Sequence, residues 1–597
     1  MSKLLSLDIE VLPNYFLVGL KDIVSGEVKQ FEMFGVSTKL ETSVKKELHK
    51  IMLTSSTFGF NSNNYDLPLI VYALEGATCK DIHSASSDII NKAQPYWMTY
   101  RNLGIEPRPY DHFDICEPSP AVMISLKNYG SRIGSKRLQD FYLDPNTNIS
   151  GNATQLLKKY NINDLDTTID LYNSIKGRID LRVSLGNQYN MDLRSKSDAQ
   201  IAETVIVSEL EKSGAKVSKP TLPRDYQARY TPPTYITFKT ENLNELLRMV
   251  KSIKFELDSN GSVMLPKRLA DKKIVIGQTV YNMGIGGLHS QEKSLSIKSN
   301  DKYVLRNADF TSYYPFIIIN NRLYPKHLGR KFLDIYKGIV DRRLRAKIAG
   351  DKLTADSLKI TINGSFGKFG SKYSKLYSPD LLLATTITGQ LTLLMLIEAF
   401  ELNGIRVVSA NTDGLEYYCP RDKIKLAEAL IFDLELDTGF QMEHGEYIAL
   451  HAKDVNNYVA VYSDHVKSKG LYAETTLSKG RSTPIVYTAI RKYLFDGYPL
   501  RKTIKECSDM NEFVSARTVK GGGQYDGDIL GKVVRWYYST KSKGCITYTS
   551  NGNKVPKTDG CKPMMELLNH IPNDLDYDWY VNEAISKLKD LGVDYAE

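Results

Sequence analysis

Asp309-Phe310-Thr311-Ser312-Tyr313-Tyr314-Pro315 decides how this chain is read. Residues 301–310 have the pattern of a strand, so the Asp309 carboxylate sits at a strand end and opens a polar turn. About a hundred residues on, Ser409-Ala410-Asn411-Thr412-Asp413-Gly414 interrupts the apolar run 405–418. An Asp-Gly pair between strand-like flanks signals a hairpin, which would place Asp413 in the turn. Neighbouring strands could then bring Asp309 and Asp413 together. Taken alone, Asp413 is more often a turn former than a metal ligand, and Asp309, followed by small polar residues, is likewise ambiguous.

Between them the spacing predicts helices over 329–348 and 353–369, joined at Gly350-Asp351, and a longer one near 380–402. The second helix carries Lys359-Ile360-Thr361-Ile362-Asn363-Gly364-Ser365-Phe366-Gly367. Asn363 lies one turn after Lys359, and Phe366-Gly367 one turn further. Arg343 and Lys347, four apart, share a face of the first helix. Such a cationic face could bind a triphosphate, although basic pairs on helices are also ordinary solvated surface.

A second acidic set occupies the N-terminal third. Leu5, Leu7 and Ile9 point to one side of the first strand, and Ser6, Asp8 and Glu10 to the other. Asn61-Ser62-Asn63-Asn64-Tyr65-Asp66 follows an apolar stretch. Tyr160-Asn161-Ile162-Asn163-Asp164 is expected to open a helix, with Tyr160 and Asp164 one turn apart.

In order, the segments at 309, 359 and 409 resemble the three polymerase motifs of family B (alpha-like) DNA polymerases, DxxSLYP, KxxxNSxYG and DTD. The segments at 8, 61 and 160 resemble that family's exonuclease motifs, DxE, Nx2–3(F/Y)D and Yx3D. The resemblance implies an α/β multidomain chain, with an RNase H-like 3′→5′ exonuclease domain (1–185) ahead of a right-hand polymerase. The polymerase would comprise a linker region and first part of the palm (186–328), short two-helix fingers (329–370), a second part of the palm (371–450), and a thumb with C-terminal region (451–597).

It also implies roles for residues. Asp309, the Phe310 carbonyl and Asp413 would hold two Mg2+ ions, and Asp8, Glu10, Asp66 and Asp164 two more, with Mn2+ able to substitute. Two such ions activate an attacking oxygen and neutralise the leaving group. Tyr160 would orient the hydrolytic water. Ser312, Arg343, Lys347, Lys359 and Asn363 would contact the incoming nucleotide, and Tyr314 would lie under its sugar and exclude a 2′-hydroxyl. Tyr313 and Tyr314 could instead both be core residues. Ser125-Leu126-Lys127 is similar to a segment that contacts the single-stranded primer end, with Asn61 and Tyr65 serving beside it. Tyr281-Asn282-Met283-Gly284-Ile285-Gly286-Gly287 resembles a YxGG segment, in which Gly286 and Gly287 would admit phosphates. Lys453 and Tyr458 resemble a KxY region on primer DNA, with Lys467 and Lys469 adding charge nearby.

The sequence departs from the family pattern in places. Asn411 replaces the first aspartate of DTD, and Gly364 and Phe366 replace a serine and a tyrosine. Lys359 follows Asp309 by 50 residues, and Asn411 follows Gly367 by 44. Neither interval holds the inserts of protein-primed polymerases, so no terminal-protein primer and no built-in encircling element are expected. A clamp or other processivity factor is expected, beside primer-template DNA and dNTPs. By resemblance, the compact length and the GGLHS-like segment at Gly286–Ser290 suggest a bacteriophage or other virus.

Composition is compatible with this. The net charge of +9 over 597 residues suits a polyanionic partner, and the 38 tyrosines suit stacking or core roles. Six scattered cysteines form no close pair, which argues against a zinc ribbon or disulfide scaffold. The start enters a strand pattern directly, and apolar runs such as Phe316 to Ile319 are short. A cytoplasmic protein without a membrane partner is expected, in the host cytoplasm if viral. The alternatives are a repair polymerase, a nuclease whose polymerase half only binds DNA, as Asn411 would suggest, and a structural DNA-binding protein.

Overall fold

The computed structural model describes residues 3–92, 94–120, 124–140, 144–480 and 482–596. It comprises two compact units. One holds Met1–Ser197, Thr475–Ile485 and Glu506–Trp579; the other holds Asp198–Glu474, Val486–Lys505 and Tyr580–Glu597. The segment 451–597, read from sequence as one region, is therefore shared between them.

The first unit is built on a five-stranded sheet ordered Val28–Phe34, Tyr15–Asp22, Leu4–Leu12, Ser56–Gly59 and His112–Asp114. The first three are antiparallel, and the last two run parallel to Leu4–Leu12 and to each other. The alternation in the first strand is real: Leu5, Leu7 and Ile9 are buried in an apolar cluster with Phe16, Leu69 and Ile82. The opposite face is covered by the 39-residue helix Gly151–Tyr189, on which the Ser6 hydroxyl donates to the Leu165 carbonyl at 3.2 Å. Tyr160 and Asp164 thus lie inside a helix, not at its start. The helix begins at Gly151, directly after Ser150.

The same unit contains a four-stranded sheet dominated by the hairpin Ser515–Tyr525 and Asp528–Tyr538. Its anchor is Arg535, a fully buried guanidinium that donates to the carbonyls of Ser135, Lys136, Met564 and Met565. An unpaired buried charge would be costly; one bonded to several carbonyls is stabilising.

The second unit is centred on a seven-stranded sheet. Its order is Met442–Tyr447, Tyr303–Phe310, Gly414–Pro420, Arg406–Asn411, His289–Ser290, Thr279–Asn282 and Ile274–Ile276. Behind it runs the helix Pro379–Leu402, begun by Ser378 as N-cap with proline at the first positions. This helix is 24 residues long and apolar enough to cross a membrane by length and composition, which corrects the expectation that every apolar run is short. Here 83% of its most apolar window is buried, around Ile387, Leu391 and Leu394 of the core. Two 18-residue helices, Lys331–Ile348 and Lys352–Phe369, pair as the spacing predicts, and Asp351 caps the second by accepting from the Thr354 amide.

Candidate active sites

In the second unit, Asp309 and Asp413 come together because their strands are adjacent. Asp309 is opposite Gly414 in the ladder, and the Phe310 amide donates to the Asp413 carbonyl at 2.7 Å. Gly414 is required there: an ideal Cβ would lie 1.8 Å from Asp309 Oδ1. The turn itself needs a left-handed residue, supplied by Thr412 at φ 60°. Burial raises both carboxyls above their usual range; Asn307, at 2.6 Å from Asp309, and Lys467 pull Asp309 back, while Lys469 and Lys467 act likewise on Asp413. Asp309, half-buried, and Asp413, exposed at the turn and adding its charge beside Asp309, form a hard-oxygen donor set suited to divalent cations.

Beside them lies a cavity of about 530 Å³ lined by Phe310, Tyr314, Arg343, Lys347, Lys359, Asn363 and Asp413, among others. Arg343 donates to Ser312 at 3.0 Å, and its Nε is buried with no hydrogen-bond partner. Lys347 meets Glu443, a cavity carboxylate that sequence reasoning missed, at 3.8 Å. Glu443 faces Asp309 across the sheet, which only the strand order reveals.

The two tyrosines separate. Tyr313 is buried and donates to the Gly389 carbonyl at 2.7 Å, which makes it a core residue. Tyr314 faces the cavity. Its ring stacks on Phe366 at 4.7 Å, and its hydroxyl donates to the Gly286 carbonyl. The glycine segment is in turn held by Gln390, which bonds both the amide and the carbonyl of Gly284. Gly287 has no room for a side chain, since its Cβ would fall 2.6 Å from Thr412 Oγ1. Gly364 likewise abuts the Asp198 carbonyl, where a Cβ would be 2.3 Å away. Close approach of the helix Asp198–Lys212 therefore accounts for glycine at that motif position. Asn411 is turned toward Val455 and Asn456 at 3.4 and 3.5 Å and braces the hairpin. Lys453 is engaged by Asp590 at 3.0 Å, and Tyr458 is half-buried opposite Lys469.

In the first unit, ligand oxygens of Asp8, Glu10 and Asp164 lie within 4.8 Å of one another. Asp66, at the start of the helix Asp66–Leu74, stands outside that trio, though its charge reaches Asp8 and Glu10. Burial is the main cause raising all four carboxyls. Asp66 is pushed up to about 8, with Asp114 contributing, and Asp164 to about 6. The Lys127 ammonium opposes the rise at Asp8, Glu10 and Asp164. Glu10 Oε1 is buried with no hydrogen-bond partner, an orphaned oxygen that a cation would satisfy. Two further residues escaped the sequence. Asn161 donates to Asp8 at 2.9 Å, in space left by Gly19, whose Cβ would sit 1.9 Å from its amide oxygen. Asp114 accepts from the amides of Asn61 and Asn63 and so shapes the loop before Asp66.

The remaining predicted contacts take these places. Asn61 is exposed, at φ 58°. Tyr65 packs on the apolar cluster, with its hydroxyl 2.7 Å from Ser86. Ser125 caps the helix Leu126–Ile133, and Leu126 packs against the cluster around Tyr129.

Raised carboxyl pKa values have a consequence for stability. These groups hold protons in the folded chain that the unfolded chain releases above its ordinary carboxylate pKa near 4. The associated stability is present below that pH and is lost as pH rises through about 6 at Asp164 and about 8 at Asp66. With chelator present, the apparent thermal midpoint should therefore fall as pH is raised from about 5 to 9, and Mg2+ should restore it at the alkaline end. A midpoint indifferent to Mg2+ at alkaline pH would contradict the assignment.

Comparison with known proteins agrees in direction. Over 136 residues the chain is 30% identical to DNA polymerase 1 of Sulfolobus acidocaldarius. That stretch is 21% of this chain and 14% of the archaeal protein. No protein-family model matches the chain. Superposition on the family B DNA polymerase of the hyperthermophilic archaeon Pyrobaculum calidifontis covers 100% of this chain and 79% of the other, at 13% identity. The TM-score of that superposition is 0.40. The chain is thus distantly similar, over a short stretch, to a DNA polymerase.

Proposed function

We propose that this chain is a family B DNA polymerase that extends a primer on a template and carries its own 3′→5′ proofreading exonuclease. The observation that carries the proposal is the meeting of Asp309 and Asp413 beside a cavity lined by Arg343, Lys347 and Lys359. The five-stranded sheet with its crossing helix is read as an RNase H-like exonuclease domain. The seven-stranded sheet is read as a palm, and the paired helices 331–369 as short fingers.

Asp309, the Phe310 carbonyl and Asp413 would hold two Mg2+. When bound, the ions supply a more acidic primer hydroxyl and a neutralised pyrophosphate. The chain's own residues do the rest. Lys359, Arg343 and Lys347 present fixed positive charge to the triphosphate, which costs no reorganisation during transfer. Asn363 and Phe366 form the wall against which a new base pair is judged. Tyr314, pinned by Phe366 and Gly286, sits under the sugar.

In the N-terminal site, Asp8, Glu10, Asp66 and Asp164 would hold the ions of hydrolysis. The Tyr160 hydroxyl accepts from Lys127 and bonds Asp164, which fixes the ring beside the acids and leaves it set to orient water. Ser125, Leu126, Asn61 and Tyr65 are the proposed contacts of the single-stranded end; Gly286, Gly287, Lys453 and Tyr458 those of the primer-template. A viral replicase in the host cytoplasm, served by a separate processivity factor, is the setting proposed for it.

Labelled primer-template with Mg2+ tests the proposal. The primer should shorten without dNTPs and lengthen to the template end with all four. Shortening under both conditions would instead favour a nuclease with a DNA-binding polymerase half, the reading that Asn411 supports. The sugar gate gives a separate expectation. Tyr314→Val should raise ribonucleotide incorporation relative to deoxynucleotide by about 100-fold, measured as the ratio of kcat/KM values. An unchanged ratio would remove Tyr314 from that role.

A further inference from the structure

Lys127, in the segment that resembles a primer-end contact, and Asp140, outside every motif quoted above, form a continuous polar chain into the exonuclease site. Lys127 lies in the first turn of the helix Leu126–Ile133, and its side chain is only 21% exposed, against 68% for Lys136. Its ammonium donates to Asp140 Oδ1 at 2.7 Å, donates to the Tyr160 hydroxyl, and lies 4.7 Å from the centre of that ring. Tyr160 continues the chain to Asp164. At the other end, Asp140 Oδ2 accepts the backbone N–H of Lys532, in the hairpin strand Asp528–Tyr538. The strand makes room for this contact. Gly531 adopts φ 99°, and a Cβ there would lie 2.5 Å from Asp140 Oδ2.

The same hairpin is seated on this region at two other places. Thr518 donates to Asn128 on the helix of Lys127 at 2.8 Å, and the buried Arg535 binds the carbonyls of Ser135 and Lys136. The hairpin, Asp140, Lys127 and Tyr160 are therefore one bonded assembly within one unit. A carboxylate with one oxygen on an ammonium and the other on a backbone amide transmits the position of that backbone to the ammonium. A lone surface ion pair would transmit nothing.

We propose that Asp140 is a positioning residue for the exonuclease reaction, holding Lys127 on Tyr160 from the backbone of the C-terminal hairpin, so that digestion depends on how residues 515–538 are seated. The inference rests on the exonuclease reading of Asp8, Glu10 and Asp164. It adds that the digesting site is completed by a segment more than three hundred residues away in sequence. Removing the Asp140 charge loosens Lys127 and the Tyr160 ring without altering any of the four acids.

The test uses the full chain, a labelled single-stranded oligonucleotide and Mg2+. Asp140→Asn should lower kcat of digestion about 10–100-fold with KM within about twofold, and should leave primer extension unchanged. Lys127→Gln should cost a similar factor, and the double variant no more than the larger single loss, because both act through one chain. Gly531→Ala, whose Cβ would displace the Asp140 carboxylate, should lower digestion in the same way although it alters no polar side chain. Digestion by Asp140→Asn at the parent rate, or losses that multiply in the double variant, would overturn the inference. So would a loss confined to KM. If the parent digests nothing, or if Asp8→Ala digests normally, the underlying exonuclease reading fails as well. Parent-like digestion by Asp140→Asn, with Asp8→Ala inactive, would sink this inference alone.

Discussion

Asp413→Ala abolishes templated extension, by on the order of 10³-fold or more, while digestion of a single-stranded 3′ end stays within about twofold of the parent. The size of the loss follows from position. Asp413 lies in a turn whose backbone is fixed by the Phe310 amide, and its carboxylate borders the cavity that also presents Lys359 and Arg343. Glu443, the other carboxylate lining the cavity among the described residues, is already opposed by Lys347. Asn411 is a neutral amide that cannot replace the lost charge, and its Oδ1 already accepts from the Thr412 hydroxyl at 3.0 Å. The substitution removes a charge from a solvent-facing turn and packs nothing, so folding should survive it. Gel-resolved extension over time, with digestion measured on the same preparation, checks both halves of the statement. Extension by the variant within tenfold of the parent would contradict the ligand role.

The second large effect is the converse. Asp8→Ala combined with Glu10→Ala removes digestion to the limit of detection and leaves extension intact. Glu10 Oε1 is buried without a hydrogen-bond partner, and Asp8 is held by Asn161 and repelled by Asp164 and Asp66. Such a cluster is not a stabilising ion-pair network. Removing two of its charges relieves repulsion, so the doubly substituted chain should melt no lower than the parent at alkaline pH without metal. Digestion and melting by the same protein separate a lost ligand from a lost fold. If extension fell along with digestion while the chain remained folded, the division of labour between the two acidic sets would be wrong.

Much of this was legible because strand and helix periodicity act locally. Asp309 at a strand end and Asp413 in an Asp-Gly turn could be paired on paper, since a hairpin forces one neighbour and the ladder supplies the other. Lys359, Asn363 and Phe366 shared a face by helical spacing alone. What stayed hidden depended on contacts distant in sequence. Tyr313 and Tyr314 begin the same short helix, and only the position of Gly389 and Gly286 shows which ring is core. Asn161 is adjacent to Tyr160, but its grip on Asp8 exists only because residue 19 lacks a side chain. Gly364 departs from the motif's serine because the Asp198 carbonyl, more than 150 residues earlier, leaves no room for a Cβ. The span 451–597 has no internal signal of division. It divides because Arg535 finds its acceptors at residues 135 and 136, some four hundred positions earlier.

The most direct measurement is anomalous diffraction from crystals of the full chain with primer-template, an incoming non-hydrolysable dNTP and Mn2+. Strong peaks between the Asp309 and Asp413 carboxylates, with the triphosphate against Lys359 and Arg343, are the expected result. Metal bound only at Asp8, Glu10 and Asp164, with the nucleotide absent from the cavity beside Tyr314, would contradict it.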